Sequence, residues 1–215
     1  MQALETLANL MDMSRQVNAR DDAGRSVLFH AACGGNPEIV SKLVDMGAIL
    51  DVGDDYGRSP LHAAVMAGRT QAVKTLLLLG AAADNVTQVL GLTPLHFACL
   101  YRFADCVLEL LKSSTSTRAD MNRWTTGDWA FCQPVHLAVA NGNLEAVSRL
   151  LEAGCETEGR CDGYLRLEIV EDGEGPVGRL YKLETPQTPL ELALYLGQNE
   201  IGAELHRLKS KNNER

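Results

Sequence analysis

Histidine and cysteine are the side chains in this sequence that could carry chemistry, five of the first and six of the second in 215 residues. A thiol with an imidazole in reach makes a nucleophile and its base. One such pair is close in sequence, Cys132 and His136, four apart across the start of a helical run. A hydrolase built on Cys132 and His136 is therefore the enzymatic alternative, although no third residue nearby offers itself as an orienting partner. His62, His96 and His136 each follow a Pro-Leu or Pro-Val pair, while His30 falls one place out of that register. Three copies of one residue at one repeated place suit a structural hydrogen bond between neighbouring units better than a single catalytic constellation. The cysteines (Cys33, Cys99, Cys106, Cys132, Cys155, Cys161) include no CxxC, and Cys155–Cys161 has no histidine at zinc-finger spacing. They read as small buried thiols of a reducing, intracellular compartment, cytoplasmic or nuclear, rather than as a disulfide framework. The glycines of residues 172–178, DGEGPVG, lack the Lys-Ser/Thr of a phosphate loop. No catalytic residue, metal or other cofactor is assigned, and the chain is not expected to be an enzyme.

Composition narrows the classes further. The formal charge is −8, from 20 Lys+Arg against 28 Asp+Glu, which argues against a nucleic-acid surface needing clustered cations. With 46% hydrophobic and 22% charged residues the chain is not disordered as a whole. No apolar run approaches the roughly 18–20 residues of a membrane span. The start, MQALETLANLMDMS, carries acids and no basic region.

The elements that must position all these residues emerge when the chain is laid against itself. One block recurs five times: SVLFHAACGG from Ser26, SPLHAAVMAG from Ser59, TPLHFACLYR from Thr93, QPVHLAVANG from Gln133 and TPLELALYLG from Thr188. The starts are 33, 34, 40 and 55 residues apart, and each block is followed at fixed offset by a second apolar run such as NPEIVSKLVDMGA. Ser or Thr followed by Pro is a helix N-cap with Pro in the first turn, where its missing N–H is harmless. Ala31, Ala64, Ala98, Ala138 and Ala193 share a column, as two closely packed helices require. Gly35, Gly68, Gly142 and Gly197 end the first helix, and Gly47, Gly80 and Gly154 the second. In the second run Ile39, Val40, Leu43 and Val44 keep helical spacing. Helices this short are marginal alone but share one elongated core when stacked.

The chain resembles the ankyrin-repeat family, whose signature is T-P-L-H-x-A in a repeat of about 33 residues. Pro60–His62, Pro94–His96 and the variant Pro134–His136 carry the motif. Phe29 and Glu191 replace the motif histidine, Arg102 stands at the first-helix glycine, and Ser114 and Lys209 at the second. The resemblance implies an all-α solenoid of helix-turn-helix units with β-hairpin fingers, one domain over residues 1–215, with repeats beginning near 21, 54, 88, 128 and 183. Residues 3–13 align as a second helix without its first. The chain thus begins in mid-repeat, as a half-repeat cap or, the preferred reading, as a fragment of something longer. Two fingers are expected to be lengthened. One gains about seven residues around STSTRADMNRWTTGDWAFC; the other gains about 22, an inserted hairpin near 164–184 turning at Asp172-Gly173-Glu174-Gly175.

The resemblance also implies protein–protein recognition through finger tips and the exposed side of each first helix, the concave groove. On that pattern the partner-facing positions are Asp55, Tyr56, Arg58, Met66 and Ala67; Val89, Leu90, Leu92, Leu100 and Tyr101; Trp129, Ala130, Cys132, Ala140 and Asn141; and Tyr195 and Leu196. Trp124 in the inserted finger is a further candidate. The row is unexpectedly apolar: either an exposed stripe that anchors a partner, or a core covered by the lengthened fingers folding back. Asp21, Asp22, Asp51, Asp54, Asp55 and Asp84 lie in or beside fingers and would steer a basic partner. The expected partner is a protein or peptide with apolar anchors and basic residues, with no direct nucleic acid and no membrane. The alternative is docking against other domains of the same parent chain.

Overall fold

Four of the five recurrent blocks begin helices with a Ser or Thr that supplies its own cap. Ser26 Oγ accepts the Phe29 N–H (3.1 Å), and the Ser59, Thr93 and Thr188 hydroxyls do the same for residue i+3. The computed structural model describes residues 16–112, 119–126, 130–166, 170–171, 176–177 and 180–213. Among them are ten helices: α1 Val27–Gly34, α2 Pro37–Asp45, α3 Pro60–Met66, α4 Thr70–Leu78, α5 Pro94–Leu100, α6 Ala104–Lys112, α7 Pro134–Ala140, α8 Leu144–Glu152, α9 Pro189–Tyr195 and α10 Asn199–Asn213. The half repeat expected over 3–13 lies outside the described residues.

Odd-numbered helices pack on one another in sequence order, and so do even-numbered ones, giving two layers of a solenoid. Each pair turns through a left-handed residue, Gly35 (φ +87°), Gly68 (+64°), Gly142 (+64°) and Gly197 (+70°), with Arg102 (+62°) at the third turn. The core runs between the layers. Leu28, Leu61, Leu95 and Val135 on the first helices, with Leu76, Leu110 and Leu150 on the second, are all fully buried. Lateral packing shares these side chains between neighbours, which is what holds helices of seven to nine residues.

Between pairs the chain makes fingers. Asp54 N–H bonds Arg58 O (2.9 Å) and Thr87 N–H bonds Leu92 O (3.0 Å) within fingers. Adjacent tips are joined by Asp55 N–H to Ala23 O (3.1 Å), Gln88 N–H to Tyr56 O (3.0 Å) and Thr126 N–H to Leu90 O (3.2 Å). Strands β1 (Ala130–Phe131), β2 (Asp162–Arg166) and β5 (Leu180–Lys182) form an antiparallel sheet in the order β1-β2-β5. Strands β3 (Val170–Glu171) and β4 (Pro176–Val177) pair separately. The pairing of β1 with β2 joins the fourth finger to the fifth, a contact between segments some 30 residues apart that no local pattern announces. The turn expected at Asp172–Gly175 falls outside the described residues.

The motif histidines lie inside this framework. His62 Nδ1 accepts the Ser59 N–H (3.1 Å) and its Nε2 donates to Leu92 O of the next finger (3.1 Å). His136 repeats the pattern with Gln133 N–H (3.2 Å) and Gly159 O (3.0 Å). His96 keeps the bond from Thr93 N–H (3.2 Å) and lies against the backbone of Cys132 and Arg123, but its Nε2 reaches no acceptor at hydrogen-bond geometry. All three are fully buried, and burial holds each near a pKa of about 4, so they are neutral at pH 7. Their ordinary value is 6.5, so the unfolded chain binds protons first as the pH drops. The stability linked to the neutral rings is complete above pH 6.5 and is lost on the way down to 4. Carboxylates contribute below that window. Urea unfolding is expected to shift to a lower midpoint between pH 7 and pH 5, at up to about 1.4 kcal/mol per histidine for each pH unit. His136→Gln should flatten the profile by about a third; a profile already flat in the wild type would exclude linkage through these rings.

Candidate functional site

The acidic rim is mostly structure. Asp54 is buried at 3% exposure, accepting the N–H groups of Tyr56 (3.0 Å) and Arg58 (2.8 Å) and pairing with the Arg58 guanidinium (2.7 Å). Asp21 holds Ala23, Arg25 and His30 in the same way one repeat earlier, bonds that keep its carboxyl well below the usual range. Asp51 accepts Ala82 N–H (3.0 Å) and Asp84 accepts Asp120 N–H (2.8 Å), each bonding one finger to the next. Asn18 and Asn122 fill the same place toward Ile49 and Glu156. The signal was in the sequence: Asp21 and Asp54 each precede an Arg by four, and Asn18, Asp51 and Asp84 are 33 apart. Of the six aspartates read as a steering rim, Asp22 and Asp55 are exposed and free of these internal bonds.

Among the apolar candidates, Tyr56 is 57% exposed with the Arg58 guanidinium 4.9 Å above its ring, Val89 is 67% exposed, and Tyr195 is 63% exposed. The Gln88–Tyr56 backbone bond sets Tyr56 and Val89 on neighbouring tips. Leu90 is half-buried; Met66, Leu92, Tyr101 and Leu196 are half-buried against the core. Tyr101 is the middle ring of a stack with Phe97 (6.1 Å) and Phe103 (6.2 Å). Trp124 is half-buried with its ring 5.8 Å from His136, and Asn141 bonds back to Leu137 O (2.9 Å).

Leu100, at 4% exposure, is a correction, as are Asp54 above and Cys132 and Ala140 in the wider row. Leu100 and Ala140 share the column of half-buried Met66 and exposed Tyr195, but in the middle of the stack close neighbours cover them. The stripe is therefore broken at repeats three and four. Trp129 lies outside the described residues, as does the burial of Ala130. Among the exposed apolar residues that the sequence pattern did not mark are Val86 and Phe131 on fingers and Leu194 on α9.

Cys132 and His136 do not assemble a dyad. The Cys132 sulfur sits by Thr125 Oγ1 (3.8 Å), both His136 nitrogens are occupied by Gln133 N–H and Gly159 O, and burial pushes the thiol up to about 12. Burial raises Cys155 and Cys161 to about 12 as well and Cys99 further, so none supplies a thiolate at neutral pH. Among the described residues no group of three His, Cys, Asp or Glu is placed to hold a metal, and no helix is long and apolar enough to cross a membrane.

The comparisons agree with the architecture. A family model for ankyrin repeats, in three copies, matches residues 2–88 and again 75–161. No curated protein matches the chain. Ankyrin repeats are generally protein–protein interaction modules and typically not enzymes. With capped helix pairs, left-handed turns, buried motif histidines and cross-bonded fingers in place, the matched span of residues 2–161 covers well over half of the sequence, and the chain belongs to the ankyrin-repeat family.

Proposed function

We propose that this chain binds a protein or peptide segment through its finger tips and concave side, using Tyr56 and Val89 as apolar anchors. The observation that carries this reading is their exposure on adjacent tips held together by backbone hydrogen bonds. Exposed aromatic and branched side chains on a rigid support are efficient anchors, because little ordering entropy is lost on that side. Val86, 39% exposed, lies beside them: its carbonyl and Gln88 both crowd Gly57, the residue after Tyr56. Half-buried Tyr101 and exposed Tyr195 offer further ring surface on the later repeats, where the stripe is broken. A strongly basic partner loses most of its basis, since four of the six rim aspartates are spent inside the fingers. The unpaired thiols suit an intracellular, reducing compartment.

A second reading, docking of the stack end-on against another helical unit, is favoured by Leu194. It shares a column with Ala32, Val65, Cys99 and Val139, each fully buried under the next repeat, yet is itself 62% exposed.

One assay separates the two. Wild-type chain, Tyr56→Ala/Val89→Ser and Leu194→Glu are used as baits in a cell lysate, with retained proteins identified by mass spectrometry. All three should unfold within about 0.5 kcal/mol of one another, because the changed side chains are exposed. Concave-side recognition predicts at least a tenfold loss of the retained protein with Tyr56→Ala/Val89→Ser and none with Leu194→Glu. End-on docking predicts the reverse, and equal retention by all three rejects both.

A further inference from the structure

Five turns join a first helix to its second helix, and four of them place glycine at the left-handed residue. The third places Arg102 there, at φ +62°, the one non-glycine with positive φ among the described residues. For an L-residue this conformation brings Cβ against its own carbonyl, and arginine has none of the local side-chain bonding that lets Asn or Asp tolerate it. Glycine would serve the turn at no such cost, as it does in the other repeats. A strained residue that persists at a surface is a reason to look for a use of its side chain.

That side chain has little use inside the fold. Arg102 is exposed, forms no ion pair among the described residues, and reaches Gly142 O at 3.5 Å, the outer limit of a hydrogen bond. Arg69, at the turn before, is different. Its stem lies over Gly35 and its Nε donates to Cys33 O (3.1 Å). Phe103 fills the corresponding place over Gly68, so the repeat's own packing is completed by the residue after Arg102, not by Arg102. The side chain therefore stands at a position where no other repeat has one, next in sequence to Tyr101, whose half-buried ring belongs to the surface proposed to bind.

We propose that Arg102 is a specificity-determining residue that pairs with a carboxylate side chain, Asp or Glu, of the bound polypeptide. This rests on the protein-binding reading above and narrows its partner. The guanidinium fork matches a carboxylate with two parallel hydrogen bonds. A single guanidinium held by one long bond fits a monoanion better than a phosphate, since the neighbouring Arg69 is already committed to Cys33 O. Against a chain of net charge −8, an acidic group would be repelled at most other places, so one fixed cation sets the register.

The test pans a library of random 12-residue peptides on immobilised full chain: wild type, Arg102→Gly and Arg102→Glu. The wild type is expected to enrich peptides with Asp or Glu beside apolar residues. Arg102→Gly should return the acidic content to that of the library and weaken the best wild-type peptide about tenfold or more. Arg102→Glu should enrich Lys and Arg instead, an inversion that a purely structural role cannot produce. The melting midpoint of Arg102→Gly should be unchanged or raised by about 2–4 °C as strain is relieved. The same acidic enrichment on all three chains overturns the assignment and leaves the binding reading standing. A wild type that enriches no peptide overturns both. A lowered midpoint with unaltered selection assigns Arg102 to the fold.

Discussion

A seven-residue helix closes too few hydrogen bonds to offset the ordering of its backbone, and every first helix here up to α9, α1 apart at eight, is that short. Lateral packing of one helix pair on the next is therefore the contact from which the rest follows. It buries Leu28, Leu61, Leu95 and Val135 in succession and forces the turn residues, caps and fingers into a common geometry. The motif histidines reinforce it: each satisfies its own helix start with one nitrogen, and two of them span to the next finger with the other. Because the rings are desolvated between repeats they stay neutral, which links cohesion of the stack to pH.

The same constraint decides which side chains are available to a partner. A polar residue that recurs with the repeat period is recruited into the stack, as Asp21 and Asp54 are for finger turns and Asp51 and Asp84 for the bonds between fingers. The residues proposed for recognition are ones the stack does not take up: Tyr56 and Val89 on the tips, Tyr195 and Leu194 on the last first-layer helix, and Arg102 at a glycine position. In a repeat protein the regular positions build the support, and the irregular ones carry what is particular to the chain.

Cys132 and His136 fail as a catalytic pair for a related reason. They stand beside a helix start, which takes one imidazole nitrogen through Gln133 N–H, while Gly159 O of the next finger takes the other. Packing then removes the thiol from water and raises its pKa, so proximity in sequence does not become a reactive pair.

Local propensity and a period that one chain displays five times were enough to read the helix pairs, their caps and turns, their stacking and the family from residue order. Tyr56, Val89 and Tyr195, among the positions for which exposure and core burial were both open, are exposed. Only contacts between repeats settle that Leu100 and Asp54 are buried and that β1 pairs with β2, and only the folded chain shows Arg102 in a left-handed backbone with its guanidinium 3.5 Å from Gly142 O. Burial depends on what a neighbouring repeat or finger lays over a side chain. That neighbour lies some 30 residues away, and no pattern within a single repeat contains it.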